Sequence, residues 1–206
     1  MQNHLKYELY NVLSGKSQVK HGDFIQTIIS FLRRSEATSN LVKEDKYFKE
    51  KETKSLIEFI EQNKFWVENI NLENYISQGA EQKVYLKDDK SVLKLNDSIY
   101  YTSWIDYLNN LLLNNYFFSD TAYKLLGFYK NENILYAVVE QPFVKATDKT
   151  DLELVKQFML SNGFENSRNY DYINRNYGII LEDLHDENVL TQNGFLFFID
   201  TVFYII

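Results

Sequence analysis

The chain has 206 residues, 45% of them hydrophobic and 16% aromatic, so one ring-rich core is expected, either alone or with a helical appendage. A net charge of -7 and a pI near 5.1 argue against a nucleic-acid partner, because neutralising phosphates needs a basic surface. No cysteine is present, which excludes disulfides and thiolate zinc sites, and three scattered histidines (His4, His21, His185) offer little for an imidazole-built metal site.

The first third reads as helices. HLKYELYNVL (4–13) sets apolar residues at helical spacing before Ser14-Gly15, a stop signal. DFIQTIISFLRR (23–34) repeats the pattern and ends on two arginines, where the helix dipole favours cations. A third helix is expected over 43–64, with Leu56, Ile57, Phe59 and Ile60 inward. Its mixed-sign run KEDKYFKEKETK reads as a solvated face. The N-terminus lacks a signal-peptide pattern, and no apolar run reaches the roughly 20 residues that span a bilayer. No membrane partner and a cytoplasmic location are therefore expected.

After about residue 72 the pattern shortens. NYISQGAEQKVYLKDDKSVLKLND (74–97) predicts three strands, with Asp88-Asp89-Lys90 as the turn before the third. SWIDYLNNLLLNNYFF (103–118) predicts a helix, and GFYKNENILYAVVEQPF (127–143) two strands across Asn-Glu-Asn. TDLELVKQFMLSNGF (150–164) predicts a helix with Thr150 as N-cap and Gly163 as its stop. NYGIILEDLHDENVLTQNGFLFFIDTVF (176–203) reads as strand, loop, hairpin and strand. The class is α+β.

The last segment carries the chemistry. Asp200 sits in FLFFID, where a carboxylate is costly to bury unless it is paired or holds a metal. Phosphoryl transfer needs a backbone loop over the phosphates, a lysine on their oxygens, a carboxylate for the nucleophile's proton, and oxygen ligands for Mg²⁺. Candidates for all four occur in the order protein kinases use. Ser77 to Val84 (SQGAEQKV) keeps Gly79 and Val84 of the pattern G-x-G-x-x-G-x-V, with Ser77 and Gln82 at the outer glycine positions. An ordinary β-turn is the plainer alternative. Lys94, in SVLKL, matches the lysine of a V-A-I-K strand, or else lies on a strand's solvent face. Asp183 and Asn188 fit the spacing D-x-x-x-x-N, and Asp200 follows at a strand end. His185 reads as a brace for this loop.

From about Tyr75 to Phe203 the chain resembles the kinase-like fold. It is closest to the serine/threonine/tyrosine kinase domain of bacterial polyvalent proteins of mobile elements, which also carries D-L-H-x-E-N-V-L before a strand ending in I-D. More distantly it is similar to aminoglycoside phosphotransferases, which use D-x-H-x-x-N. The resemblance implies Asp183 as catalytic base, Asn188 and Asp200 as Mg²⁺ ligands, and Lys94 and Gly79 at the phosphates of ATP. It places the adenine-binding hinge at Glu140, Gln141 and Phe143, or else that segment is a plain buried strand; Pro142 has no N–H to offer. With the helical pattern of the first third read as an N-terminal helical region (1–70), it implies a minimal kinase-like domain (71–206), with an antiparallel N-lobe sheet over about 72–144 and a truncated C-lobe over about 145–206.

The pattern departs in four places. Leu181-Glu182 stand where kinases have His-Arg, and Asp200 is followed by Thr201-Val202 rather than Phe-Gly. No glutamate lies between Lys83 and Glu132 to pair with Lys94, which leaves Asp106 as a substitute. The sequence ends six residues after Asp200, so an acceptor site is expected from the N-terminal helices, the 151–163 helix or another chain. An ATP- and Mg²⁺-dependent phosphotransferase acting on a protein or on itself is expected. The alternatives are a pseudokinase that binds nucleotide without transfer, and an interaction protein whose β-rich part is scaffold.

Overall fold

The structure, a computed structural model, describes residues 2–37, 45–79 and 82–206. Three helices come first: α1 (Gln2–Leu13), α2 (Gly22–Ala37) and α3 (Asp45–Asn63). The start of the expected 43–64 helix, and Ala80-Glu81 of the glycine-containing loop, lie outside the described residues. Gly15 takes φ 75°, the left-handed conformation that lets the chain turn after α1.

An antiparallel sheet of five strands follows: β1 (Tyr75–Gln78), β2 (Gln82–Leu86), β3 (Ser91–Asn96), β4 (Lys124–Asn131) and β5 (Ile134–Pro142). Their order is β1-β2-β3-β5-β4, so the lysine-bearing β3 is central, with Lys94 opposite Val84 and Val139. Helix α4 (Trp104–Phe117) joins β3 to β4, and α5 (Leu152–Ser161) follows β5. The N-cap of α5 is Asp151, which accepts from the Glu153 N–H at 2.9 Å, and not the expected Thr150. Thr150 is buried and its hydroxyl donates to the Val189 carbonyl at 2.7 Å, so tertiary contact overrides its capping preference.

The C-terminal part holds a four-stranded antiparallel sheet ordered β11-β8-β7-β6. Its members are β6 (Glu165–Arg168), β7 (Asp171–Asn174), β8 (Ile179–Glu182) and β11 (Val202–Ile205), and between the last two sits the hairpin β9 (Val189–Gln192) and β10 (Phe195–Phe198). The strands β6 and β7 have no clear signature in ENSR and DYIN, which are rich in residues that strands usually avoid. The fold is α+β, an N-terminal helical region followed by a kinase-like arrangement with a small C-terminal part.

Helix α4 organises the molecule. Leu108, Leu111 and Leu112 join Ile25, Leu32, Leu56, Ile60, Phe128 and Val139 in one core, which the N-terminal helices share with the five-stranded sheet. Leu113 joins Met159, Leu181, Val189, Phe198 and Phe203 in a second. Surrounded on all sides, α4 also buries Asn109, Asn110, Asn114 and Asn115. Three of these have clear work. Asn110 Oδ1 accepts from the Phe203 N–H at 2.8 Å, Asn114 Oδ1 from the Thr201 hydroxyl at 3.1 Å, and Asn115 Oδ1 from the Tyr123 N–H at 2.7 Å. The first two bonds fix the segment just after Asp200 against the helix and the third fixes the residue before β4, since buried amides need partners.

The charged run on α3 is not merely a solvated face. Glu52 is only 4% exposed, and its carboxylate accepts from the Trp104 and Ile105 N–H groups at 2.6 and 3.2 Å. It thus neutralises the positive N-terminal end of α4. Where α3 ends, the chain pairs with β4: the Val67 N–H donates to the Phe128 carbonyl at 2.8 Å and the Phe128 N–H to the Phe65 carbonyl at 2.9 Å. Gly127 permits this approach, because a Cβ there would lie 2.4 Å from the Phe65 carbonyl oxygen.

Candidate active site

The loop after β8 is built from local hydrogen bonds. Asp183 adopts φ 64°, a left-handed conformation that Asp and Asn tolerate better than most side chains, and its N–H donates to Asp171 Oδ1 at 3.2 Å. The His185 carbonyl accepts from both the Asn188 and Val189 N–H groups, at 3.0 and 2.9 Å, closing a tight turn. Asn188 Nδ2 donates to the Asp183 carbonyl at 3.0 Å, a bond that does not occupy its Oδ1. His185 Nδ1 accepts from the Glu187 N–H at 3.3 Å, and the ring meets Tyr170 edge to face at 6.2 Å. Those contacts suit a brace.

The hairpin β9–β10 then brings the chain back. The Asn188 carbonyl accepts from the N–H groups of Ile199 and Asp200, at 2.9 and 3.4 Å, which sets Asp200 beside Asn188. Lys94 reaches the same place from β3: its Nζ donates to the Ile199 carbonyl at 2.7 Å and lies 5.4 Å from the centre of the Tyr123 ring. Burial pushes the Lys94 pKa below the usual lysine value, and the charge on Asp200 pulls it partly back. Lys94 is 4% exposed, so the solvent-face alternative does not hold.

One residue escaped the sequence reading. Gln82, expected only to fill an outer glycine position, is buried and donates from Nε2 to Asp200 Oδ2 at 2.5 Å. A polar side chain at the start of a strand gave no signal of this, because its partner is 118 residues away.

Two adjoining hollows meet at these groups. A cleft of about 440 Å³ is lined by Gly79, Val84, Lys94, Phe143, Asn188 and Asp200 among others. A second hollow of about 380 Å³ is lined by Asp183, His185 and Tyr100, and it shares Gly79, Gln82, Glu187, Asn188 and Asp200 with the first. A larger hollow, about 730 Å³, lies between α3 and the β3–α4 loop and contains none of Asp183, Asn188, Asp200 and Lys94.

Other candidates fall less directly. A Cβ added to Gly79 would meet nothing within 4 Å, so the protein itself does not demand glycine there. Gln141 and Phe143 line the cleft, but the Gln141 amide donates to the Thr121 carbonyl at 2.8 Å and the Phe143 N–H to the Lys90 carbonyl at 2.7 Å. Glu140 is not among the lining residues; it pairs with Lys87 at 2.8 Å, and that hydrogen bond holds its carboxyl below the usual range. Asp106 lies near Lys49, whose charge it supports, whereas Asp200 is the charged group acting on Lys94.

The donor set can be tested against the groups that kinase chemistry uses. Among the described residues no cluster of three or more His, Cys, Asp or Glu could hold a metal by itself. One carboxylate and one carboxamide oxygen at a shared hollow nonetheless suit Mg²⁺, which takes few protein ligands and completes its octahedron with water and phosphate oxygens. The buried ammonium of Lys94 adds a donor for phosphate. The residues therefore fit a magnesium nucleotide. Among the described residues no helix is long and apolar enough to cross a membrane.

A protein-family profile described as serine/threonine/tyrosine kinase found in polyvalent proteins matches residues 49–206, beginning within α3. Searches of curated proteins and of solved structures find no match. Three quarters of the chain, including the cleft and the loop that carries Asp183, thus lie within one family, and the chain belongs to the kinase-like family found in polyvalent proteins.

Proposed function

We propose that the chain is an ATP- and Mg²⁺-dependent phosphotransferase that acts on a protein or on itself in a bacterial cytoplasm, in the service of a mobile element. The observation that carries this reading is the meeting of Lys94, Asn188 and Asp200 in one cleft, with Asp183 in the adjoining hollow. Magnesium nucleotide supplies the transferable phosphoryl group and a divalent charge that offsets the negative charge of the transition state. Asn188 Oδ1 and Asp200 hold the cation. Lys94 donates to phosphate oxygens, and Gly79 leaves space over them. The cleft wall at Gln141 and Phe143 receives the base, with Glu140 shaping that edge from outside through Lys87. Asp183, exposed at the second hollow, takes the proton of the acceptor hydroxyl.

A second reading, nucleotide binding without transfer, draws on two features. Lys94 forms no ion pair among the described residues, and Gln82 already engages Asp200 Oδ2. Incubation with labelled ATP and Mg²⁺ separates the two. Transfer that disappears in Asp183→Ala supports the first reading. A melting-temperature rise with Mg·ATP and no transfer to any offered protein selects the second. A ligand at 100 times its dissociation constant adds about 2.7 kcal/mol, which such a scan detects readily.

A further inference from the structure

Loop 97–103, between β3 and α4, presents two tyrosines that the fold treats differently. Tyr101 is 5% exposed and its hydroxyl accepts from Asn110 Nδ2 at 3.0 Å. Tyr100 is 58% exposed, and its hydroxyl has no hydrogen-bond partner among the described residues. The loop that carries it is held firmly. Lys49 donates to the Ser98 carbonyl and, at 2.7 Å, to the Tyr101 carbonyl; the Ile99 N–H donates to Asp97 Oδ1 at 3.1 Å, and the Tyr101 N–H to the Ser98 carbonyl at 3.0 Å.

That loop puts Tyr100 in the wall of the hollow that contains Asp183. Among the described residues lining it, Tyr100 is the one hydroxyl-bearing side chain. The division between the hollows is informative. Of these two hollows Lys94 lines only the first and Asp183 only the second, while Asn188 and Asp200 line both; Tyr100 lines the second and, on its other side, the hollow of about 730 Å³ next to α3. A phosphoryl group passing between the hollows would move from the lysine side to the tyrosine side, past the cation ligands. Other exposed hydroxyls lie elsewhere: Ser77 lines the first hollow only, and Tyr170 lines neither.

We propose that Tyr100 is a phospho-acceptor of this chain, modified in cis at the hollow it shares with Asp183. The inference rests on the phosphotransferase reading above and names its acceptor. In the transfer, the Tyr100 phenolic oxygen bonds to the terminal phosphorus of a nucleoside triphosphate bound with a divalent cation. The bond from that phosphorus to the bridging oxygen breaks, and its electron pair leaves with the nucleoside diphosphate. The phenolic proton passes to the Asp183 carboxylate and then to water. A base is needed because a free phenol has a pKa of about 10. An acceptor on a loop fixed within the same molecule is already positioned, which removes the entropic cost of bringing in a second protein.

The full chain, dephosphorylated with a phosphatase, is incubated with Mg·ATP and mapped by peptide mass spectrometry. In parallel, binding of a non-hydrolysable ATP analogue with Mg²⁺ is followed by melting temperature. The expected result is one phosphate on Tyr100, formed at a first-order rate independent of protein concentration and missing in Tyr100→Phe and Asp183→Ala. Phosphate on another residue with Tyr100 bare overturns the proposal, and so does a rate that rises with protein concentration. Analogue binding plus phosphorylation of an added peptide, with Tyr100 unmodified, overturns the Tyr100 assignment while the phosphotransferase reading survives. No analogue binding and no transfer overturns both.

Discussion

Two charged side chains, Glu52 at the α3–α4 junction and Lys94 in the cleft, are each 4% exposed, and the fold completes them to different degrees. The Glu52 carboxylate receives two N–H groups from the first turn of α4, donors that no helix can satisfy internally. Its hydrogen bonds serve the fold. The Lys94 ammonium has three N–H groups, and among the described residues one of them is used, on the Ile199 carbonyl. The side chain lines a cleft with Asp200 nearby, and its Nζ lies 5.4 Å from the centre of the Tyr123 ring. A buried charge whose partners are complete is a structural joint, whereas one left incomplete at a hollow marks a place for a ligand.

The contrast is broken most forcefully from the cleft side. Lys94→Met should lower phosphoryl transfer by on the order of 10²–10³-fold, the size of effect seen when one charge-stabilising donor is removed from an active site. Its stability in urea should hold or rise, since an apolar side chain replaces an incompletely paired buried charge. Loss of stability with transfer intact would show that Lys94 is the structural residue. Glu52→Ala should do the reverse: about 2–3 kcal/mol lost in urea unfolding, from two stranded N–H groups and an uncompensated helix end, with Mg·ATP still raising the melting temperature.

A finer test uses pH. Burial lowers the Lys94 pKa below 10.5, so between the lowered value and 10.5 the unfolded chain binds a proton that the folded chain has released. Stability due to this group therefore rises with pH across that window and is flat below it. The urea midpoints of the wild type and of Lys94→Met should converge as pH approaches 10.5; parallel curves would mean that the ammonium is not desolvated. The smallest effect is expected at Glu182, whose pKa is raised first by burial and then by Asp171 and Asp183. The folded chain holds its proton above 4.5, so stability falls as pH climbs through that region, and Glu182→Gln should flatten the slope without altering nucleotide binding.

How much of this could be read in advance depended on sequence distance. The loop from Asp183 to Asn188 was legible as a loop because its six residues are closed by their own backbone, through the His185 and Asp183 carbonyls. The helices α1, α2 and α4 were legible from apolar spacing. The polar strands β6 and β7 were not, because they pair within the four-stranded sheet rather than announcing themselves by composition. Gln82 on Asp200, Glu52 on the α4 terminus and the asparagines of α4 were equally silent, since each is a polar residue whose partner lies far along the chain.

The sequence by itself determined the α+β class, the order of elements as far as α5, and the succession Lys94, Asp183, Asn188, Asp200, since periodicity and short-range spacing are properties of neighbouring residues. Only the tertiary structure decided that Lys94 turns inward to Ile199, that Gln82 closes on Asp200, and that Tyr100 rather than Tyr101 lines the Asp183 hollow. Those outcomes depend on which distant surfaces α4 and the two sheets bring together. A hydrogen bond across 118 positions leaves no trace in the order of residues around either partner.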